Sequence, residues 1–329
     1  MFSTRVIRMR HLLLEAKSTS SQMVSRNLTE TSRESNSNAP AATVHIGDLI
    51  REKEKKKEFY HSFELVSQKG GEKAYESFFK DMESGCKPLF FTLTWHNQSG
   101  ENFLPLQLVS EFPKNTLLHL SAKGLSRTDV ERILPKVLEM GITNLLVVRG
   151  DDPSNDGDFL YAVDLIEFIK TRYNDEFCIA VAGYPDTHPQ SPSKESDLYY
   201  LKKKVDAGAS FVITQISFES RQFIEFVKDC RSCGVDVPII PGIFPISNYK
   251  TLMNLQKICS LKIPQEIHQD LMEIKDNDQE LRNYGINLAT RITSEIFSSG
   301  VVHGYHLFTL NDFSIAQEIC GRLSAITRN

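Results

Sequence analysis

Eight short apolar runs between residues 60 and 310 limit what this chain can fold into more than any other feature. They read YHSFELV (60–66), PLFFTLTW (88–95), NTLLHLS (115–121), NLLVVRG (144–150), CIAVAGY (178–184), FVITQIS (211–217), PIIPGIF (238–244) and GYHLFTL (304–310). In the fourth, Leu145, Leu146, Val147 and Val148 follow one another without polar alternation, the pattern of a strand covered on both faces in a helix-wrapped parallel sheet. Amphipathic stretches fill the gaps. In SRTDVERILPKVLEMG, Ser126 and Asp129 form a capping-box variant and Gly141 supplies a left-handed stop, while Ala162, Leu165, Ile166 and Ile169 give the next helix one buried face. Eight strand-and-helix units in a single pass match an α/β fold of the (β/α)8 TIM-barrel type; an open doubly wound sheet uses roughly five or six strands. The extra helix before the last strand, IPQEIHQDLMEI and DQELRNYGINLATRITSEIFSSG, is expected to be an insertion packed on the barrel.

With 329 residues and 40% hydrophobic content, the chain can bury one large core. No run of about 18 apolar residues is present to span a bilayer, and the net charge of -4 argues against nucleic acid as a partner. Neither GxGxxG after a strand nor GxxxxGK[ST] occurs, which disfavours a Rossmann dehydrogenase and a P-loop phosphotransferase. Cys86, Cys178, Cys230, Cys233, Cys259 and Cys320 are scattered, so reduced thiols are expected. The CRSC pair at 230–233 has no second pair to complete a zinc site, and Phe223, Phe226, Val227 and Cys230 already follow a helical face.

Residues 1–45 differ in kind from the remainder, 46–329, which is read as one barrel domain. They are rich in Ser, Thr, Asn and Arg and are expected to form a disordered extension. Arg5, Arg8 and Arg10 against the single acid Glu15 make a mitochondrial transit peptide the alternative, so the expected location is cytoplasmic, with mitochondrial as the second reading. The run REKEKKKE (51–58) reads as a solvated helical lead-in.

Ligands of helix-wrapped parallel sheets bind at the carboxyl ends of the strands. Those ends carry Glu64, Thr94 with Trp95 and His96, His119, Arg149 with Asp151, Tyr184 with His188, Gln215, and Asn311. Glu64 follows Phe63 in the first strand, where burial would raise its pKa towards that of a general acid. His119 reads equally well as a core histidine with its hydrogen bonds satisfied.

The segments LLVVRGDDP, AVAGYPDTHPQSPSKESDLYYLKKKVDAGASFVITQ, PIIPGIFPISNYKTL, IKDNDQELRNYGI and HLFTLN together resemble the methylenetetrahydrofolate reductase family, from about residue 60 to the end. The resemblance implies a (β/α)8 barrel that holds FAD at the strands' carboxyl ends and uses NADPH or NADH to reduce 5,10-methylenetetrahydrofolate to 5-methyltetrahydrofolate. It places Thr94, Trp95, His119, Arg149, Gly150, Asp151, Tyr161, Ala162, Tyr184, His188, Asp197, Lys203 and Lys204 on flavin-contacting positions, and Gln215 and Phe308 on the folate substrate. It makes Glu64 the general acid that protonates the departing N10. Asp151 then lies beside the flavin's pyrimidine edge, where a carboxylate makes the reduced flavin a stronger hydride donor. No metal is implied, and a homo-oligomer is expected as in relatives.

Three departures accompany the resemblance. Where the family often has FFPP after the glutamate, this chain has Leu65, Val66, Ser67 and Gln68. Near the last strand Phe308 replaces a tyrosine and Asp312 an arginine, a charge reversal expected to alter affinity for an anionic substrate. The resemblance covers the catalytic barrel only, and the regulatory domain that eukaryotic members carry is not expected within these residues. A flavin-binding paralogue with weak or no folate turnover is therefore the alternative. A metal-dependent barrel enzyme using His96, His119, Asp151 and His188 is a third reading, disfavoured because no tight ligand spacing is present.

Overall fold

The computed structural model describes residues 45–67, 72–94, 112–150 and 157–327. Eight parallel strands close into a barrel in sequence order: β1 (Tyr60–Leu65), β2 (Phe90–Leu93), β3 (Thr116–Ser121), β4 (Asn144–Val148), β5 (Cys178–Gly183), β6 (Phe211–Ile216), β7 (Ile239–Ile243) and β8 (Gly304–Phe308). Each lies within the run that predicted it. The helices of the described residues are α1 (Ile46–Lys56), α2 (Glu72–Gly85), α3 (Arg127–Glu139), α4 (Ala162–Tyr173), α5 (Lys194–Asp206), α6 (Ser220–Ser232), α7 (Tyr249–Cys259), α8 (Gln265–Ile274), α9 (Asp278–Ser298) and α10 (Phe313–Thr327). None is long and apolar enough to cross a membrane. Except at His61, every strand residue is buried, as expected for a sheet with side chains packed inside and helices outside.

Alternation along β1 sends Phe63 outward, 5.9 Å from the ring of Phe78 on α2, and Ser62 and Glu64 inward. Inside the barrel, Phe90 lies 5.9 Å from Phe211 and stacks on His306 at 6.3 Å. The interior is thus a packed core and not a pore. The helix ends follow their sequence signals: Ser126 and Asp129 close the capping box of α3, and Gly141 sits at φ +77°.

The lead-in helix does more than the charge run predicted. α1 buries Ile46 and Ile50, and its amino end donates Ile46 N–H to Asn144 Oδ1 at 2.8 Å and Gly47 N–H to Cys178 Sγ at 3.3 Å. Asn144 and Cys178 begin β4 and β5, so α1 covers the amino end of the barrel. Its other end is tied down by Glu54, which accepts from Tyr60 Oη at 2.8 Å and from His303 N–H at 3.2 Å.

Two further expectations need correction. The surplus helix before β8 is α7 and α8, whereas α9 belongs to the outer ring, packed between α6 and α10. Gly285 sets that position, since a Cβ there would lie 1.8 Å from Ile246 O, in the loop after β7. The thiols are not all free either. Because α10 returns against α2, Cys86 and Cys320 meet in a disulfide across 234 residues, with Cα atoms 6.2 Å apart; Cys178, Cys230, Cys233 and Cys259 remain free. The extension expected for residues 1–45 falls, all but its last residue, outside the described residues.

Helix propensity alone favours Ala over Gly by about 1 kcal/mol, so two glycine substitutions separate packing from propensity. Gly285→Ala drives a methyl into backbone and should lower the unfolding free energy by about 2 kcal/mol or more. Gly321→Ala, inside α10 with nothing within 4 Å of the new methyl, should raise it by up to about 1 kcal/mol. Urea denaturation of both variants measures the contrast.

Candidate active site

Glu64 is 1% exposed and points into the barrel near the carboxyl end of β1. Its Oε2 makes no hydrogen bond to any described residue and lies 3.8 Å from His119 Nε2. Removing a carboxyl from water without a compensating donor disfavours the anion, and burial pushes the Glu64 pKa up to about 8. The acid is therefore protonated at neutral pH, and its approach to His119 is dipolar, not an ion pair. One layer below, His306 Nδ1 lies 2.8 Å from Ser62 Oγ, and burial with the neighbouring His119 lowers its pKa to about 3. That imidazole is neutral and does nothing to draw the proton off Glu64.

The loop after β1 is locked to the loop after β8. Thr309 Oγ1 donates to Glu64 O at 2.6 Å, and the Asn311 side chain spans the backbone of Val66, accepting from its N–H at 2.8 Å and donating to its carbonyl at 2.9 Å. Ser67 N–H donates to Thr94 Oγ1 at 3.1 Å. Thr94 thus braces the loop in which the family's FFPP is replaced, and the backbone of that loop is held by side chains from β2 and β8. Sequence reasoning placed Asn311 at the rim without giving it this role; a left-handed asparagine at φ +60° after a strand is visible only in the structure.

Gln215 is the penultimate residue of β6, where the register with β7 shifts between Ile213 and Ile216. Its Oε1 accepts from Ile216 N–H at 2.9 Å, while its buried Nε2 makes no hydrogen bond to any described residue. Glu64, Gln215 and Phe308 line one small cavity with Ile216, Phe244 and Leu310. Gly242 gives Phe308 its place, since a Cβ at 242 would come within 2.6 Å of the Phe308 ring. A protonated acid and an amide donor therefore face one enclosed, otherwise apolar space.

The positions assigned to the flavin form a second group along β4 and β5. Arg149 leaves the end of β4, places its guanidinium 5.4 Å from the Tyr161 ring centre, and donates to Gln190 Oε1 at 2.5 Å. Gly150, at φ +82°, leaves no room for any side chain: a Cβ would sit 1.7 Å from Ser121 Oγ. Tyr161 is exposed and precedes Ala162, the buried first residue of α4. The rings of Tyr184 and His188 meet edge-on at 4.6 Å, and Asp197 Oδ2, in the first turn of α5, accepts from His188 N–H at 3.0 Å. Lys204 reaches in beneath them to donate to Ala182 O at 2.7 Å; burial lowers its pKa to about 8 against the pull of Asp197. Lys203 goes the other way, lying over the exposed rings of Tyr199 and Tyr200 at 4.9 and 5.8 Å, so the two adjacent lysines do not converge. Trp95 and Asp151 lie outside the described residues, as does the neighbouring His96.

Asp312 has a local occupation. Its Oδ1 accepts from Ser314 Oγ at 2.9 Å and from Ile315 N–H at 3.3 Å, making it the N-cap of α10.

A model of the family described as methylenetetrahydrofolate reductase matches residues 49–324. The chain is 36% identical over 290 residues to "Methylenetetrahydrofolate reductase (NADH) 1" of Arabidopsis thaliana, covering 82% of this chain and 49% of that one. It is 36% identical over 244 residues to "Probable methylenetetrahydrofolate reductase (NADPH)" of Caenorhabditis elegans, covering 70% and 37%. The chain thus spans less than half the length of these two relatives. Among solved structures, a Clostridium thermocellum protein that binds two copies of 5-methyl-5,6,7,8-tetrahydrofolic acid superposes with a TM-score of 0.63 at 15% identity, covering 84% of this chain and 99% of that one, which shows the shared barrel fold.

Two measurements check the site. The Glu64 pKa is raised on folding from 4.5 to about 8, so the folded state holds the proton more tightly than the unfolded chain. That contribution to stability is complete below the unfolded value and is lost as pH rises through the folded one. The unfolding free energy should fall across this window in the wild type and flatten in Glu64→Gln. Separately, Asp312→Ala should lower stability by about 1 kcal/mol through loss of the cap, measurable by urea titration.

Proposed function

The chain belongs to the methylenetetrahydrofolate reductase family, and on that premise we propose that it is a flavoprotein that reduces 5,10-methylenetetrahydrofolate to 5-methyltetrahydrofolate at the expense of NADPH or NADH. The observation that carries this reading is Glu64: a buried, protonated carboxyl sharing an enclosed space with an amide donor that has no partner among the described residues.

Opening the five-membered ring of the folate substrate needs a proton on N10 as its bond to the methylene carbon breaks. Glu64 holds that proton at neutral pH because burial disfavours the anion. Gln215 offers its amide to an edge of the pterin, whose ring nitrogens and carbonyl pair with a donor and an acceptor. Phe308 supplies an apolar wall. A buried amide left unpaired costs about 1–3 kcal/mol, so a ligand that accepts from Gln215 Nε2 gains that back.

The second group fits FAD. Arg149 Nε is buried and makes no hydrogen bond to any described residue, Lys204 brings an ammonium beneath the rim, and Tyr184 with His188 adds aromatic and hydrogen-bonding surface. Arg149, His188 and Lys204 suit a pyrophosphate, and Gly150 permits close backbone approach. Thr94, His119, Tyr161, Ala162 and Asp197 complete the proposed contacts, with Lys203 at the outer edge. When bound, FAD carries the hydride between the nicotinamide and the folate. His119 then stands between the two groups, close to the acid.

Stopped-flow measurement of the two half-reactions on the FAD-loaded chain tests this. Glu64→Gln should leave flavin reduction by the nicotinamide within about threefold and cut flavin reoxidation by methylenetetrahydrofolate by about 100-fold or more, since only the second step uses the proton. In the wild type the second step should decline as pH rises through about 8 while the first stays level. Equal loss of both steps in Glu64→Gln would remove the acid's assignment. A wild type reduced by the nicotinamide but never reoxidised by the folate would point to the flavin-binding paralogue, a reading that the capping role of Asp312 keeps open.

A further inference from the structure

Among the described residues, one group of His, Cys, Asp and Glu side chains brings three donor atoms within 4.8 Å of one another: His61, Cys86 and Cys320. It lies at the amino end of the barrel, opposite Glu64. His61 is the second residue of β1 and faces outward, its ring stacked 5.5 Å from that of Tyr305. Cys86 follows α2, and Cys320 lies in α10. The His61 Nε2 atom stands 3.5 Å from each sulfur and 3.3 Å from Cys86 O.

An imidazole nitrogen and two cysteine sulfurs gathered at one place are also the donor set of a tetrahedral metal. With zinc–sulfur bonds of about 2.3 Å and zinc–nitrogen bonds of about 2.0–2.1 Å, a tetrahedral angle separates sulfur from nitrogen by about 3.6 Å. The cysteine Cα separation of 6.2 Å lies within the range a disulfide spans, so thiolates on the same backbone need only a side-chain rotation to part around an ion. Two thiolates and one imidazole select a thiophilic ion over calcium or magnesium. A cavity of about 450 Å3, lined by His61, Cys86, Pro88, Asn115, Tyr305 and Leu323 among others, opens onto two of the three donor residues, His61 and Cys86.

We propose that His61, Cys86 and Cys320 form a zinc site when the sulfur–sulfur bond is reduced. A dithiol supplies two electrons to the Cys86–Cys320 bond, which breaks; the dithiol becomes a disulfide and its two protons end on the cysteine sulfurs. Zinc then displaces both thiol protons to solvent and takes the lone pair of His61 Nε2, leaving the ring proton on Nδ1. In either redox state the segment ahead of β2 is cross-linked to the last helix, by a covalent bond or through the ion. The site is separate from the folate chemistry and stands whether or not that assignment holds.

The test uses the full chain, stripped of metal with a chelator, reduced with a phosphine and titrated with Co2+ as a spectroscopic substitute. One equivalent should produce thiolate-to-cobalt charge-transfer absorption in the near ultraviolet and strong visible bands of a tetrahedral ion, both erased by Zn2+. The oxidised chain should give neither. Cys86→Ser and Cys320→Ser should each diminish the charge-transfer absorption, and Cys233→Ser should leave it intact. Because those variants also lose the cross-link, alkylation of the reduced wild type gives an independent reading: Zn2+ should protect Cys86 and Cys320 from iodoacetamide, as mapped by mass spectrometry. A reduced wild type without charge-transfer absorption, absorption unchanged in both serine variants, or alkylation of Cys86 and Cys320 unaffected by zinc would each overturn the proposal.

Discussion

The chemistry proposed for this barrel rests on the removal of one carboxyl from water. Glu64 lies on the inward face of β1, and its Oε2 lacks a hydrogen-bond donor among the described residues. Its two imidazole neighbours differ in role: His119 Nε2 lies 3.8 Å from Oε2, and His306, held to Ser62, is kept neutral by burial. An arginine or lysine at either position would drag the pKa of the acid back to the ordinary carboxylate range and empty it of its proton at neutral pH. The uncharged character of the surrounding barrel matters as much as the glutamate itself.

Around that core the rim divides the work between two kinds of surface. The inner group, Glu64, Gln215 and Phe308, is enclosed and mostly apolar, and it sets a protonated carboxyl beside an amide donor. The outer group runs from Arg149 through Gln190 to the start of α5, where His188 and Asp197 are bonded to each other, and it is cationic and aromatic. Desolvation acts in opposite directions on the two sides, raising the pKa of the acid and lowering that of Lys204, yet in both cases it favours the neutral form of the group.

The strands were legible because each is an apolar run bounded by polar residues, and burial on both faces leaves that imprint whatever the partner strand is. Glu64 was legible for the same reason, as a charge inside such a run. What escaped detection depends on pairings that a linear reading does not contain. The Cys86–Cys320 link, the Asn311 clamp on Val66 and the Asn144 anchor for α1 join positions separated by 234, 245 and 98 residues. α9 was taken for an insertion because its length exceeded the ring's need, and only its packing between α6 and α10 reveals which helices are surplus. Asp312 was read by its charge, although its place just before a helix makes it a cap. Of two neighbouring lysines, only the fold decides that Lys204 turns inward and Lys203 outward.

The seam where β1 meets β8 is fastened at both ends, by Glu54 with His303 below and by Thr309 and Asn311 with Glu64 and Val66 above. During synthesis on a ribosome, β1 emerges more than two hundred residues before the segment that closes over it. Until β8 arrives, one edge of β1 is unpaired and the cavity that encloses Glu64 lacks its Phe308 wall. The working protonation state of Glu64 is therefore among the last properties the nascent polypeptide acquires, and it reports that the ring has shut.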